Sequence, residues 1–154
     1  MDVAVLNFNK LLVSKLIIIA TVLFSSNSSY VFALPQDGKV VVGQAQVSES
    51  GNTLTIKQDS HKLAIDWQKF NIDQGQHTKF VQPSSSAIAV NRVTGSSDPS
   101  KIMGNLTANG NVVLINPNGI MFGKHSVVDV NALIASTSDI DLEYFAKHGK
   151  SLEI

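Results

Sequence analysis

The sequence predicts an all-β fold, an incomplete parallel β-helix of short strands joined by tight Asn/Gly corners. Three observations predict it. After Ala33 the chain is a series of short runs rich in Val, Ile and Thr, separated by Gly, Asn, Asp, Ser and Pro. Branched side chains suit a pleated surface, and the interrupting residues suit turns. The last four apolar runs centre near Leu114, Met121, Val128 and Ile134, a step of about seven residues. Three such steps make a coil of about twenty residues, the spacing of stacked solenoid rungs that share one core. There is no cysteine, so stability must come from a long backbone ladder and a continuous apolar core rather than from disulfides. An antiparallel β-sandwich is the alternative, because short strands punctuated by turns predict that as well.

The first 33 residues stand apart. Lys10 and Lys15 precede the apolar run Leu16 to Phe24, and a polar stretch with Val31 and Ala33 at positions −3 and −1 follows. This is the order of a signal peptide, and the apolar run is shorter than the roughly 20 residues a membrane span needs. Residues 1–33 are therefore expected to be a signal peptide cleaved between Ala33 and Leu34, with the Sec export machinery and signal peptidase as partners. An uncleaved membrane anchor is the rival. Lys+Arg and Asp+Glu are both 12, and ten basic and eleven acidic residues remain after Ala33. That balance gives no basic stripe and argues against a nucleic-acid partner.

Along the remaining chain the expected strands are "KVVVG" from Lys39, "TLTIKQ" from Thr53, "KLAIDW" from Lys62, "TKFVQ" from Thr78 and "AIAVNRV" from Ala87. "NVVLI" from Asn111, "IMFG" from Ile120, "SVVDV" from Ser126 and "ALIAST" from Ala132 follow. In the last two, Val128, Val130, Ala132 and Ile134 are read as one inward phase, with Leu133 an exception on the other face. Asn91, Asn105, Asn111, Asn116, Asn118 and Asn131 are read as corner residues able to bond to neighbouring rungs and to tolerate left-handed backbone. "DLEYFAKHG" from Asp141 to Gly149 is either a short helix or a frayed tail. Trp67 and the seven Phe read as core.

The tetrad Asn116-Pro117-Asn118-Gly119 lies between two strand-like runs. Pro117 presets φ at the second position of a turn, Asn118 or Gly119 accepts positive φ, and the Asn116 side chain caps the amide two residues on. As chemistry this is a rigid corner.

The stretch "NRVTGSSDPSKIMGNLTANGNVVLINPNGIMFGKHSVVDVNALIASTSDI" (Asn91 to Ile140) resembles the secretion domain of filamentous-haemagglutinin-like exoproteins, the two-partner secretion or haemagglutination activity family. Leu34 to Ile72 resembles the opening of that domain, and Val81 to Gly95 its next block, so the resemblance covers about Leu34 to Ile140. In the family "NPNGI" is a signature, matching Asn116, Pro117, Asn118, Gly119 and Ile120. "NRVTG" matches Asn91, Arg92, Val93, Thr94 and Gly95. The family's Asn-Pro-Asn-Leu block has no counterpart, and "NIDQGQHTKFVQPSSS" stands in its region.

The resemblance implies a right-handed parallel β-helix that serves as the N-terminal address of a large exported adhesin, haemolysin or contact-dependent toxin. It implies a Gram-negative-type bacterium, passage through the periplasm, and recognition by a dedicated outer-membrane β-barrel transporter with periplasmic domains. The mature protein is then secreted or held at the cell surface, where a downstream region meets a host-cell or neighbouring-cell receptor. Asn116 to Ile120 and Asn91 to Val93 are the residues it assigns to partner recognition. The extended chain would add a strand to a transporter sheet, and the tetrad would become a corner only after folding.

No catalytic residue, metal site or cofactor is expected. His61, His77, His125 and His148 lack metal-ligand spacing and are read as surface residues. There is no G-x-S-x-G elbow and no phosphate-binding glycine loop. Asp139 and Asp141 are read as a solvated loop and are the whole support for a polysaccharide-cleaving enzyme. A stand-alone secreted adhesin is the other alternative. After Ile140 the resemblance fades, so residues 141–154 are expected to be a divergent tail at a truncation point.

Overall fold

A computed structural model of the chain describes residues 33–148. Residues 1–32 of the expected signal peptide and residues 149–154, with the strand-like "SLEI", lie outside the described part. The strands are β1 (Lys39–Val42), β2 (Ala45–Ser50), β3 (Thr53–Gln58), β4 (Lys62–Trp67), β5 (His77–Val81) and β6 (Ile88–Val93). They continue with β7 (Ser100–Ile102), β8 (Asn105–Ala108), β9 (Asn111–Ile115), β10 (Ile120–Phe122), β11 (Val127–Asp129) and β12 (Ala132–Ser136). One helix, α1 (Leu142–Lys147), follows.

The strands wind into a parallel β-solenoid of about four coils. One 5-stranded sheet has the order β1-β4-β6-β9-β12, and a second has β11-β8-β5-β3-β2. A 2-stranded sheet, β10-β7, forms the third face. Ile88 of β6 lies between Lys62 of β4 and Asn111 of β9, and Asn111 lies beneath Ala132 of β12, all in parallel register. The last coil has the expected length of about twenty residues, and the earlier ones are a few residues longer. The sandwich alternative fails on this register. Antiparallel pairing is confined to the start of the chain, where β1 lies along β4 and β2 along β3. These two strands cover the first coil, and β2 turns Ser48, Glu49 and Ser50 to solvent, a polar edge that discourages further pairing.

The core follows from alternation. In β4, Leu63, Ile65 and Trp67 point inward, while Ala64 points out. In β9, Val112 and Leu114 point inward, and Val113 and Ile115 point out. Phe70, Ile72, Phe80, Ile102 and Leu106 complete the interior. Trp67 meets Phe70 edge to face, with centroids 5.7 Å apart, a geometry that favours aromatic pairs.

Several expectations change. Strands β2, β7 and β8 are additional to those read from the sequence; they are polar or only 3–6 residues long. The inward phase breaks at the corner between β11 and β12. Val128 and Val130 pack inward, and so does Leu133, whereas Ile134 packs on the outer face and Ala132 is exposed. A corner resets which residues face in, so one period does not run through both strands. Asn91 is in the middle of a strand rather than at a corner. None of the described asparagines has positive φ; that backbone belongs to Asp37 and to four glycines, Gly119 among them. Phe122 is 40 % exposed and is not core. His77 is half-buried, with Nε2 2.7 Å from Thr107 Oγ1, and is not a free surface residue.

Residues 141–148 take the helical option. Asp141 is the N-cap of α1, its Oδ1 accepting from Glu143 N at 2.9 Å and Tyr144 N at 3.0 Å. Asp141 therefore caps a helix, and Asp139 faces Arg92 at 3.4 Å, so they are not an unpartnered loop pair. Phe145 and Ile140 are buried against the outer face of the β4-β6-β9-β12 sheet.

Candidate functional site

The two sequence blocks singled out above meet in space. Asn91 and Arg92 of β6 lie beside Leu114 and Ile115 of β9. The chain leaving β6 and the chain leaving β9 therefore turn the same corner on consecutive coils. The upper turn is the tetrad. Gly119 N donates to Asn116 O at 3.0 Å, closing a four-residue turn. Asn118 N donates to Asn116 Oδ1 at 2.9 Å, the side-chain cap that Asn supplies at the first position. Gly119 takes φ of 106°, a region open to glycine and strained for other residues.

Asn116 ties this turn to the coil below. It is fully buried, and its Nδ2 donates to Asp98 O and to Ser100 Oγ, each at 3.0 Å. Every hydrogen-bonding group of that amide therefore has a partner, as burial demands. Asn118 is exposed, and its Nδ2 donates to Ser96 O at 3.0 Å. Ser100 N donates to Gly119 O at 3.0 Å. Pro117 is exposed, and Ile120 is half-buried against the interior core.

The middle layer, residues 94–99, also rests on the first coil. Gln68 Nε2 donates to Gly95 O at 2.6 Å, and Thr94 N to Trp67 O at 3.0 Å. Lys69 Nζ reaches Asp98 Oδ2 at 3.2 Å. The Lys69 ammonium, by its hydrogen bond first and its charge second, holds the Asp98 carboxyl below its ordinary value of 3.8.

Of the other assigned residues, Asn91 points into the interior. Trp67 Nε1 donates to its Oδ1 at 3.0 Å, and its Nδ2 donates to Ala89 O and Val113 O, each at 3.3 Å. Val93 is 4 % exposed in the same core. Arg92 points outward, with Nε 3.2 Å from Asp66 Oδ1 and 3.4 Å from Asp139 Oδ1. Neither Asn91 nor Val93 offers a surface in the folded domain. Ala33 and Leu34 open the described chain, and Leu34 is buried in the core.

Sequence reasoning missed Ser96, Asp98 and Ser100 as partners of the tetrad. The signal was present in "SSDPS", a Ser/Asp/Pro cluster directly after "NRVTG"; such clusters form side-chain-capped turns, as Asp98 N donating to Ser96 Oγ at 3.0 Å does here.

The corner column contains amides, hydroxyls and one exposed ion pair. It has no activated nucleophile. A surface groove of about 490 Å³ is lined by Asp73, Gln74, Met103, Gly123, Lys124 and His125. Among the described residues, no three His, Cys, Asp or Glu side chains group as they would around a metal.

Comparison with known proteins places this geometry. Residues 32–152 match the family model described as the TPS secretion domain, TPS being two-partner secretion. The chain is 43 % identical over 134 residues to a heme/hemopexin-binding protein of Haemophilus influenzae strain Rd, covering 86 % of this chain and 14 % of that protein. A second heme/hemopexin-binding protein of Haemophilus influenzae is 39 % identical over 132 residues, covering 82 % of this chain and 14 % of its own length. Among solved structures the chain is similar to the crystal structure of the HMW1 secretion domain from Haemophilus influenzae. The TM-score is 0.68 at 40 % identity, over 71 % of this chain and 29 % of that one. The chain thus spans about a seventh of the curated relatives it matches. These likenesses point to a secretion-targeting domain rather than an enzyme, and the chain belongs to the family of TPS secretion domains.

Proposed function

We propose that residues 34–140 are the address by which a larger exoprotein is passed to a dedicated outer-membrane β-barrel transporter. The observation that carries this reading is the match of residues 32–152 to the TPS secretion domain. The route begins with residues 1–33 as a signal peptide, used by the Sec machinery and cleaved by signal peptidase between Ala33 and Leu34. It continues through the periplasm to the surface of a Gram-negative-type bacterium. The longer protein is an adhesin or haemolysin. The names of the relatives make heme or hemopexin the first ligands to test for it.

The burial of the signature residues bears on how they are read. Asn116 and Asn91 are both 0 % exposed in the folded domain. A transporter that reads their side chains must do so while the chain is extended, by adding it as a strand to a periplasmic sheet. Pro117 and Asn118 are exposed in the folded domain as well. The tetrad is then label and corner at different times. The absence of cysteine fits threading, since no crosslink fixes the chain beforehand.

The test is export of the chain with and without its transporter, for the native sequence and for Asn118→Ala. Transporter-dependent export that falls in the variant supports the reading. Export independent of any transporter leaves a stand-alone secreted protein.

A further inference from the structure

The two large sheets differ on their outer faces. The β2-β3-β5-β8-β11 sheet turns Thr55, Lys57, Lys79, Thr107 and Asp129 outward, with Val81 and Val127 exposed among them, a mixed and mostly polar surface. The β4-β6-β9-β12 sheet turns Ala64, Val90, Val113, Ile115 and Ile134 outward, an apolar stripe with at least one residue on every coil. Such a face needs a cover. The cover is residues 137–148, which contribute Ile140, Leu142 and Phe145.

The anchors of this segment span the described coils, from the first to the fourth. Lys62, on the first coil, donates from Nζ to Phe145 O at 2.6 Å and also to His148 O, 83 and 86 positions later in sequence. The same ammonium lies 5.4 Å from the centre of the Phe145 ring. It therefore closes the C-terminal end of α1 and sits against its aromatic anchor. Arg92, on the second coil, lies 3.4 Å from Asp139. Ile134, on the fourth coil, is the last residue of the stripe. The contacts of one short segment thus require four coils to be in register at once.

We propose that residues 137–148 are a latch on the four described coils, which docks only after the fourth of them has formed and thereby sets how slowly these coils reopen. Anchors on the first, second and fourth coils require part of this, because the segment cannot make them all until those coils are stacked. Helix length supplies the rest. α1 has 6 residues, and an isolated helix below about 12 residues is marginal in water. Its formation therefore depends on docking. If the domain is exported as proposed above, latching would bar a folded chain from slipping back; the latch itself holds whatever carries the chain.

The test is the kinetics of unfolding and refolding of the full chain, as native sequence, Phe145→Ala and Lys62→Met. Losing an interaction that forms after the transition state speeds unfolding and leaves folding unchanged. The latch predicts refolding within about two-fold of native, and unfolding faster by about ten-fold or more in Phe145→Ala and by a smaller factor in Lys62→Met. Lys62→Met leaves the Phe145 side chain in place and removes the bonds to the helix end and the charge over the ring, so it decides the matter if Phe145→Ala does not fold. Refolding slowed as much as unfolding is speeded would overturn the proposal, since the segment would then belong to the folding nucleus. Unchanged rates in both directions would also overturn it. Because no transporter is present, neither result touches the secretion reading.

Discussion

The side-chain amide of Asn116 donates to the carbonyl of Asp98 at 3.0 Å, across two consecutive coils. That bond joins the two sequence blocks "NRVTGSSDP" and "NPNGI" into one corner. It also makes Asn116 a structural residue in the folded state. Asn116→Ala removes two donors, orphans Asn118 N, and leaves a cavity. An expected loss is about 2–4 kcal/mol, in line with buried polar networks. Urea unfolding of the purified domain measures it.

Asn118 separates label from corner. Its side chain is exposed and its main bond is to Ser96 O, so Asn118→Ala should cost no more than about 1 kcal/mol. Transporter-dependent export should nevertheless fall severalfold. Equal, small losses in stability and in export would place the tetrad's role in the fold alone.

Gly119 tests backbone conformation without sterics. A Cβ built there meets only Pro99 Cβ at 3.7 Å, yet φ is 106°. Gly119→Ala should cost about 1–3 kcal/mol through strain. The same denaturation experiment reads it.

Trp67 and Asn91 form the one buried side-chain bond between an indole and an amide, at 3.0 Å. Asn91→Leu leaves the indole N–H and two carbonyls short of a partner and should cost about 2–4 kcal/mol. Trp67→Phe removes the donor on the other side. A double-mutant cycle should show a coupling of about 1 kcal/mol or more, because the two residues share one network.

Asp98 gives the corner a pH signature. Its carboxyl titrates below 3.8 because of Lys69. A lowered folded-state pKa contributes stability above the unfolded value, and that contribution is lost as pH falls through the lowered one. The pair is exposed, so the effect on stability is small. An NMR titration should find the Asp98 midpoint below 3.8 in the native sequence and moved upward in Lys69→Met.

The sequence made the β-solenoid legible where coils were regular. The step between Leu114, Met121, Val128 and Ile134 is the geometry of the last coil, in which β12 lies on β9. It hid β2, β7 and β8, whose residues are polar or few and which owe their pairing to neighbouring coils. Leu133 was misplaced because a corner resets the inward phase. Asn91 looked like a corner residue because Asn favours turns, whereas Trp67 on the neighbouring strand β4 supplies its partner. The turn chemistry of the tetrad was readable residue by residue. Its partners Asp98 and Ser100 were not, since stacking on another coil is set by register rather than by local sequence.

The decisive measurement is the amount of this chain outside cells that carry or lack its outer-membrane transporter. The chain should appear outside only when the transporter is present and otherwise stay in the periplasm. Equal amounts outside in both strains would contradict it.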